Sequence, residues 1–108
     1  MNNTFDKREE GFEVKFAREE KLKFKATVRR NKNIGLWAAR LMGLEGEAAE
    51  NYASSIIKED FLEPGDEDVF RKLRRDFDEA GVAQSDHQIR RTMREMLAAA
   101  MEEVQNEE

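Results

Sequence analysis

Apolar residues recur at every third or fourth position along this chain, in blocks separated by glycines and by one proline. That spacing commits most of the chain to amphipathic helix. In SDHQIRRTMREMLAAAMEEV, the residues Ile89, Met93, Met96, Leu97, Ala100 and Val104 line one helical face. Ser85 is the expected N-cap, Gln88 completes a capping box, and Asp86 sets negative charge at the positive end of the helix dipole. Upstream, PGDEDVFRKLRRDFDEAG is bounded by Pro64 and Gly65 before it and Gly81 after it, with Asp66 as expected N-cap and Phe70, Leu73 and Phe77 as its buried stripe. EGEAAENYASSIIKEDFLEP carries Ala49, Tyr52, Ala53, Ile56 and Ile57 on one face and stops before the proline. Ile34, Trp37, Ala38 and Leu41 form a fourth face, and Gly35 within it costs about 1 kcal/mol against alanine, which predicts a close helix crossing or a slight break. No alternating run or internal repeat competes with these blocks. The expected fold is an all-α four-helix bundle, with helices near 21–43, 47–62, 67–80 and 86–104 and a frayed tail over 105–108.

A chain of 108 residues is one domain with one modest core. The absence of cysteine removes disulfides, thiolate metal sites and thiol nucleophiles. Charged residues make up 40% of the chain, with a net charge of −5, so bulk attraction to nucleic acid or anionic membrane is disfavoured. The opening MNNTFDKREE lacks a secretory pattern, and no apolar run reaches the ~20 residues of a membrane span. A cytoplasmic, monomeric protein without membrane insertion is the expectation.

The first 20 residues differ from the rest. Phe5, Phe12 and Phe16 fall within about 20° of one direction on a helical wheel. The next positions on that face are Glu20 and Lys23, so the stripe does not join the apolar face of the bundle. One reading makes these rings the first turns of the opening helix, folded back on the bundle. The other makes residues 1–20 a mobile amphipathic segment that carries its rings into a partner's groove.

Catalytic chemistry finds little to work with. His87, the single histidine, sits in the first turn of the last helix with no cysteine or second histidine to assist it. Glu63, Asp66, Glu67 and Asp68 cluster their carboxylates without the alternating ligands of a calcium loop, a pattern that helix-start electrostatics also produces. No phosphate-cradling glycine loop is present, and neither an enzyme nor a cofactor is expected. Lys21, Lys23, Lys25, Arg29, Arg30 and Lys32 form a run with no acidic residue, whereas Glu45 to Asp68 is strongly acidic. The two segments can neutralise each other across the bundle, or the basic one can steer a polyanion. Phe24 and Trp37 could stack on bases, yet no nucleic-acid module is spelled out, and no nucleic-acid partner is expected.

FDKREEGFEVKFAREEKLKFKATVRRNKNIGLWAARLMGL, EPGDEDVFRKLRRDFDEAGV and SDHQIRR together resemble the zeta subunit of alphaproteobacterial ATP synthases, the ATPase-inhibitor family. The resemblance spans nearly the whole chain. It implies a four-helix protein that binds the catalytic head of the F-type ATP synthase, at the cytoplasmic face of the inner membrane, and blocks ATP hydrolysis. The N-terminal segment is then the inhibitory element, mobile when free and helical when inserted between catalytic subunits (alpha and beta) beside the gamma shaft. Its contact residues would be Phe5, Asp6, Lys7, Arg8, Glu9, Phe12, Glu13, Lys15 and Phe16. Two positions depart from the family's pattern: Gly11 stands where alanine is common, and Glu45 where a small hydroxyl residue is common. Two alternatives stay open. One is a ligand-sensing module that holds a nucleotide or another anion at Arg29, Arg30 and Lys32. The other is a weakly inhibitory family member that acts as an adaptor.

Overall fold

The computed structural model describes the backbone of residues 4–62 and 65–108, with side chains from residue 15 onward within those spans. Four helices account for it: α1 Thr4–Leu41, α2 Gly46–Leu62, α3 Asp66–Ala80 and α4 Asp86–Asn106. The all-α, four-helix architecture is the one expected. The largest difference in bounds is that the first helix begins at Thr4 and runs unbroken through the expected boundary at residue 21. It also ends two residues earlier, at Leu41, α2 and α3 each start one residue earlier, and α4 continues two residues past Val104.

α1 is the spine, with its most extensive packing against α2 and α4. Both run antiparallel to it. Leu22 and Ala26 cluster with Ala100 and Val104, while Ile34 and Ala38 share the main core with Ile89 and Met93, so α4 ascends as α1 descends. α3 closes the far end with Val69, Phe70, Leu73 and Phe77, all buried. Phe77 meets Trp37 edge to face, with 5.6 Å between ring centroids. Each large buried side chain of this cluster contributes about 1.5–3 kcal/mol of transfer free energy, which makes it the main source of stability.

The caps explain where the helices stop. Ser85 Oγ accepts from the Gln88 amide at 3.1 Å, and Gln88 Oε1 accepts from the Ser85 amide at 2.8 Å, so the expected capping box is formed. Gly81 adopts the left-handed conformation that ends α3 (φ 71°), as a side chain with a Cβ rarely does. Two expectations need correction. Gly65, not Asp66, is the N-cap of α3, because the Asp66 carboxylate is drawn to Arg30 instead of its own helix. Leu41 is exposed, since α1 turns away at Met42 and Gly43 and Met42 packs on the core in its place.

Gly35 marks the closest approach of α1 and α2. A Cβ placed there would stand 2.5 Å from Ala53 Cα and 3.3 Å from Ile56 Cγ1. The close-crossing reading of this glycine is therefore the right one. Gly35→Ala gains about 1 kcal/mol of helix propensity but overpacks a backbone contact, a change that typically costs about 1–3 kcal/mol. Urea denaturation should show a net loss of stability of up to about 2 kcal/mol at unchanged m value. A more stable variant would mean that the two helices separate freely.

Candidate partner-binding surface

α2 and α4 do not accompany α1 along its whole length. At 38 residues α1 spans about 57 Å, against about 25 Å for the 17 residues of α2 and about 31 Å for the 21 residues of α4. From Lys15 to Lys21 every side chain of α1 is exposed, and Leu22 is the first buried one among the described side chains. Phe16 is 57% exposed, a large value for a ring on a helix that belongs to the core farther along. Lys15 is exposed beside it. Phe5, Asp6, Lys7, Arg8, Glu9, Phe12 and Glu13 lie on the helical backbone of α1, with side chains outside the described residues.

The basic run is divided by the helix into separate jobs. Arg29 donates from Nη1 and Nη2 to Glu107 at 2.5 and 2.9 Å, a two-point clamp that ties α1 to the end of α4, and Glu103 stands 3.5 Å away. Arg30 is buried. Its Nε donates to Asn31 Oδ1 and its Nη2 to Asp66 Oδ1, each at 2.8 Å. Asn31, also buried, donates from Nδ2 to Asp60 Oδ2 at 2.9 Å, and Asp60 Oδ1 accepts from the Gly65 amide at 3.4 Å. Lys32 is exposed. The structure does not bring Arg29, Arg30 and Lys32 together: Arg29 faces α4, Arg30 faces the α2–α3 junction, and Lys32 faces solvent. Neutralisation across the bundle occurs at Arg30 and Asp66, whereas Arg29 finds its partners on α4.

Of the acidic cluster, Glu63 lies outside the described residues and the three carboxylates at the start of α3 are engaged. Asp66 takes Arg30, Glu67 takes both Nη atoms of Arg90, and Asp68 takes Arg71. The Arg90 guanidinium also lies 3.8 Å over the Phe70 ring, so α3 and α4 are joined by charge and ring together. His87 is exposed at the first turn of α4. Among the described residues no helix is long and apolar enough to cross a membrane.

A second apolar surface went unassigned in the sequence. Phe24 of α1 and Phe61 of α2 hold their rings 5.8 Å apart while remaining 56% and 59% exposed, and Leu62 beside them is 69% exposed. Phe24 and Phe61 line a groove of about 550 Å³ that reaches down to Val28, Asn31, Ile57 and Asp60. A wheel drawn for α2 carries the signal: Leu62 lies nine residues and about 180° from Ala53, off the face that packs on α1.

The Arg29 clamp has a titration signature. Hydrogen bonding from Arg29, opposed by desolvation and helped by its charge, lowers the Glu107 pKa below the ordinary carboxylate value. A lowered carboxylate pKa stabilises the fold above the unfolded pKa, and that contribution is lost as pH falls through the folded pKa. An NMR titration should place the Glu107 side-chain midpoint below that of a free glutamate, and Arg29→Met should return it to the ordinary value. An unchanged midpoint in the variant would show that the clamp does not hold in solution.

A family model, ATPase inhibitor subunit zeta, matches residues 2–103. A protein structure solved by NMR in solution shares the fold with a TM-score of 0.68 at 37% sequence identity, covering 81% of this chain and 99% of that one. No curated protein matches the chain.

Proposed function

Because the chain belongs to the family of the ATPase inhibitor subunit zeta, we propose that it inhibits ATP hydrolysis by the F-type ATP synthase, inserting the N-terminal part of α1 between catalytic subunits beside the rotor shaft. The observation that carries this reading is that α1 outruns its own bundle, with Phe16 open to water and, among the described side chains, none buried before Leu22. A helix end that makes no core of its own is available to make one elsewhere. Phe5 and Phe12 share the wheel direction of Phe16, so a groove that takes Phe16 can take all three. Each ring offers about 1.5–3 kcal/mol on full burial, while Asp6, Lys7, Arg8, Glu9, Glu13 and Lys15 select the register by charge.

An isolated stretch of helix is marginal in water, so residues 1–20 bear an ordering cost that insertion must exceed. Lodged between a head that must change shape and a shaft that must turn, the inserted helix opposes both motions. The bundle of residues 21–104 keeps its own core and acts as the anchor. The ligand-sensing alternative draws no support from Arg29 and Arg30, whose guanidinium groups already hold carboxylates.

Titration of purified ATP synthase from the host tests the reading. The full chain should suppress hydrolysis at near-stoichiometric concentration. A chain lacking residues 1–18 should keep a cooperative melt and lose inhibition, and Phe16→Ala should weaken inhibition about tenfold, which corresponds to ~1.4 kcal/mol of lost burial, at unchanged melting temperature. Loss of the melt with intact inhibition by Phe16→Ala would place these rings in the fold instead.

Gly11 supplies a test with the opposite sign. In the middle of an inserting helix, glycine costs about 0.8–1 kcal/mol relative to alanine. It lies about 100° from Phe12, away from the rings. Gly11→Ala should tighten inhibition roughly fourfold to fivefold and leave the melt of the bundle unchanged. Equal or weaker inhibition would mean that helix formation at this point does not limit insertion.

A further inference from the structure

The groove between α1 and α2 is continuous with the surface assigned to inhibition. Phe24 follows Phe16 on the same helix by eight residues, which is about 12 Å along the axis and about 80° around it. Between them the chain has neither glycine nor proline, so no breaker separates the two rings. A body that closes over Phe16 therefore has Phe24 within reach of the same contact.

The groove is also held open by structure. Asn31 grips Asp60 one residue before Phe61, and Arg30 grips Asp66 just beyond the turn, so the end of α2 is fixed and Phe61 is presented at the groove with Leu62 exposed next to it. Three large apolar side chains kept exposed, with none turned into the adjacent core, make the kind of patch that marks a protein contact. Their surroundings specify the partner's chemistry. Lys23 lines the groove beside Phe24 and Lys21 lies a turn before it; both are exposed and neither forms an ion pair within the described residues. Of the carboxylates in the lining, Asp60 and Asp66 are already held by Asn31 and Arg30, leaving Glu20 beside the two lysines. The complementary surface has an apolar knob to enter the groove and carboxylates beside it to meet the lysines.

We propose that this groove, centred on Phe24 and Phe61 with the exposed Leu62 next to Phe61, is a second docking surface for the catalytic head of the ATP synthase, engaged beside the inserted segment. The proposal rests on the inhibitory reading above and assigns the anchoring contact to the bundle. The inserting rings then supply one part of the affinity and the groove another. Lysines at its edge make the second part sensitive to salt.

The test compares wild type, Phe16→Ala and Phe61→Asp, each as the full chain, in the hydrolysis assay with intact ATP synthase. Phe61 is exposed, so Phe61→Asp should melt as the wild type does. Its half-inhibitory concentration should rise about tenfold or more, as truncation at a binding hot spot does. The wild type should also lose potency on raising salt more steeply than a Lys21→Gln, Lys23→Gln variant. If Phe61→Asp inhibits within about twofold of wild type while Phe16→Ala is weakened, the groove is no docking surface and the inhibitory reading stands. If the wild type fails to inhibit, both are overturned. Sedimentation completes the test: a wild-type dimer that Phe61→Asp dissociates would assign the groove to a second copy of this chain and overturn the proposal.

Discussion

The approach of α1 to α2 at Gly35 sets the position of nearly everything else. With no side chain at that point, the Ala53 backbone comes so close that a methyl group would collide with its Cα. The closeness lets Ile56 enter the main core, and two turns away it brings the α2 end within hydrogen-bonding reach of Asn31. The buried Arg30 depends on the same placement, because its exposed partner Asp66 lies just past the turn that α2 delivers. A buried guanidinium without a partner costs several kcal/mol, so this junction couples a packing contact to an electrostatic one. Widening the crossing strains both.

The core is arranged along α1 in two parts. The larger, around Ile34 and Ala38, engages all four helices, and the smaller, around Leu22 and Ala26, joins only α1 to α4. Cross-section thus falls toward the N-terminal end of α1, where the Arg29–Glu107 clamp and the pair between Arg18 and Glu108 are the last ties to α4. These ties are exposed ion pairs, individually weak. Order in the bundle comes from apolar burial, and among the described side chains that burial begins at Leu22.

Much of this was legible in the sequence because local rules and tertiary packing agree. The Ser85–Gln88 box, the stop at Gly81 and the stripe of Phe70, Leu73 and Phe77 are local features that long-range packing leaves in place. The Asp66 cap failed because a buried cation elsewhere in the chain competes for the same carboxylate, and one-dimensional spacing contains no such competitor. Leu41 failed for a related reason: the helical pattern continues past the point where the chain turns. The Phe16 stripe was visible as a mismatch with Glu20 and Lys23, whereas the Phe24–Phe61 pair joins two helices and appears only once Gly35 has set their distance. The basic run looked like one patch in sequence, but successive residues on a helix point about 100° apart, which sends Arg29 and Arg30 to different neighbours.

The continuity of α1 has a mechanical meaning under the proposed function. Resistance to rotation requires that force on the inserted end reach something fixed. A hinge between insert and anchor would let the wedge swing aside with the shaft. From Phe12 to Ile34 the chain contains no glycine or proline, and α1 crosses this span without a break. The stretch from Lys15 to Lys21 buries no side chain in the bundle and is tied to it by the exposed Arg18–Glu108 pair, so its stiffness comes mainly from backbone hydrogen bonds and from whatever surface the partner lays against it. Helix of this kind is ordered most strongly when both ends are held. Phe5, Phe12 and Phe16 would hold one end inside the head. At the other, Gly35 and the buried Arg30 with its partner Asp66 already hold α1 in the bundle, which makes the anchor the preformed half of the device and insertion the half that completes it.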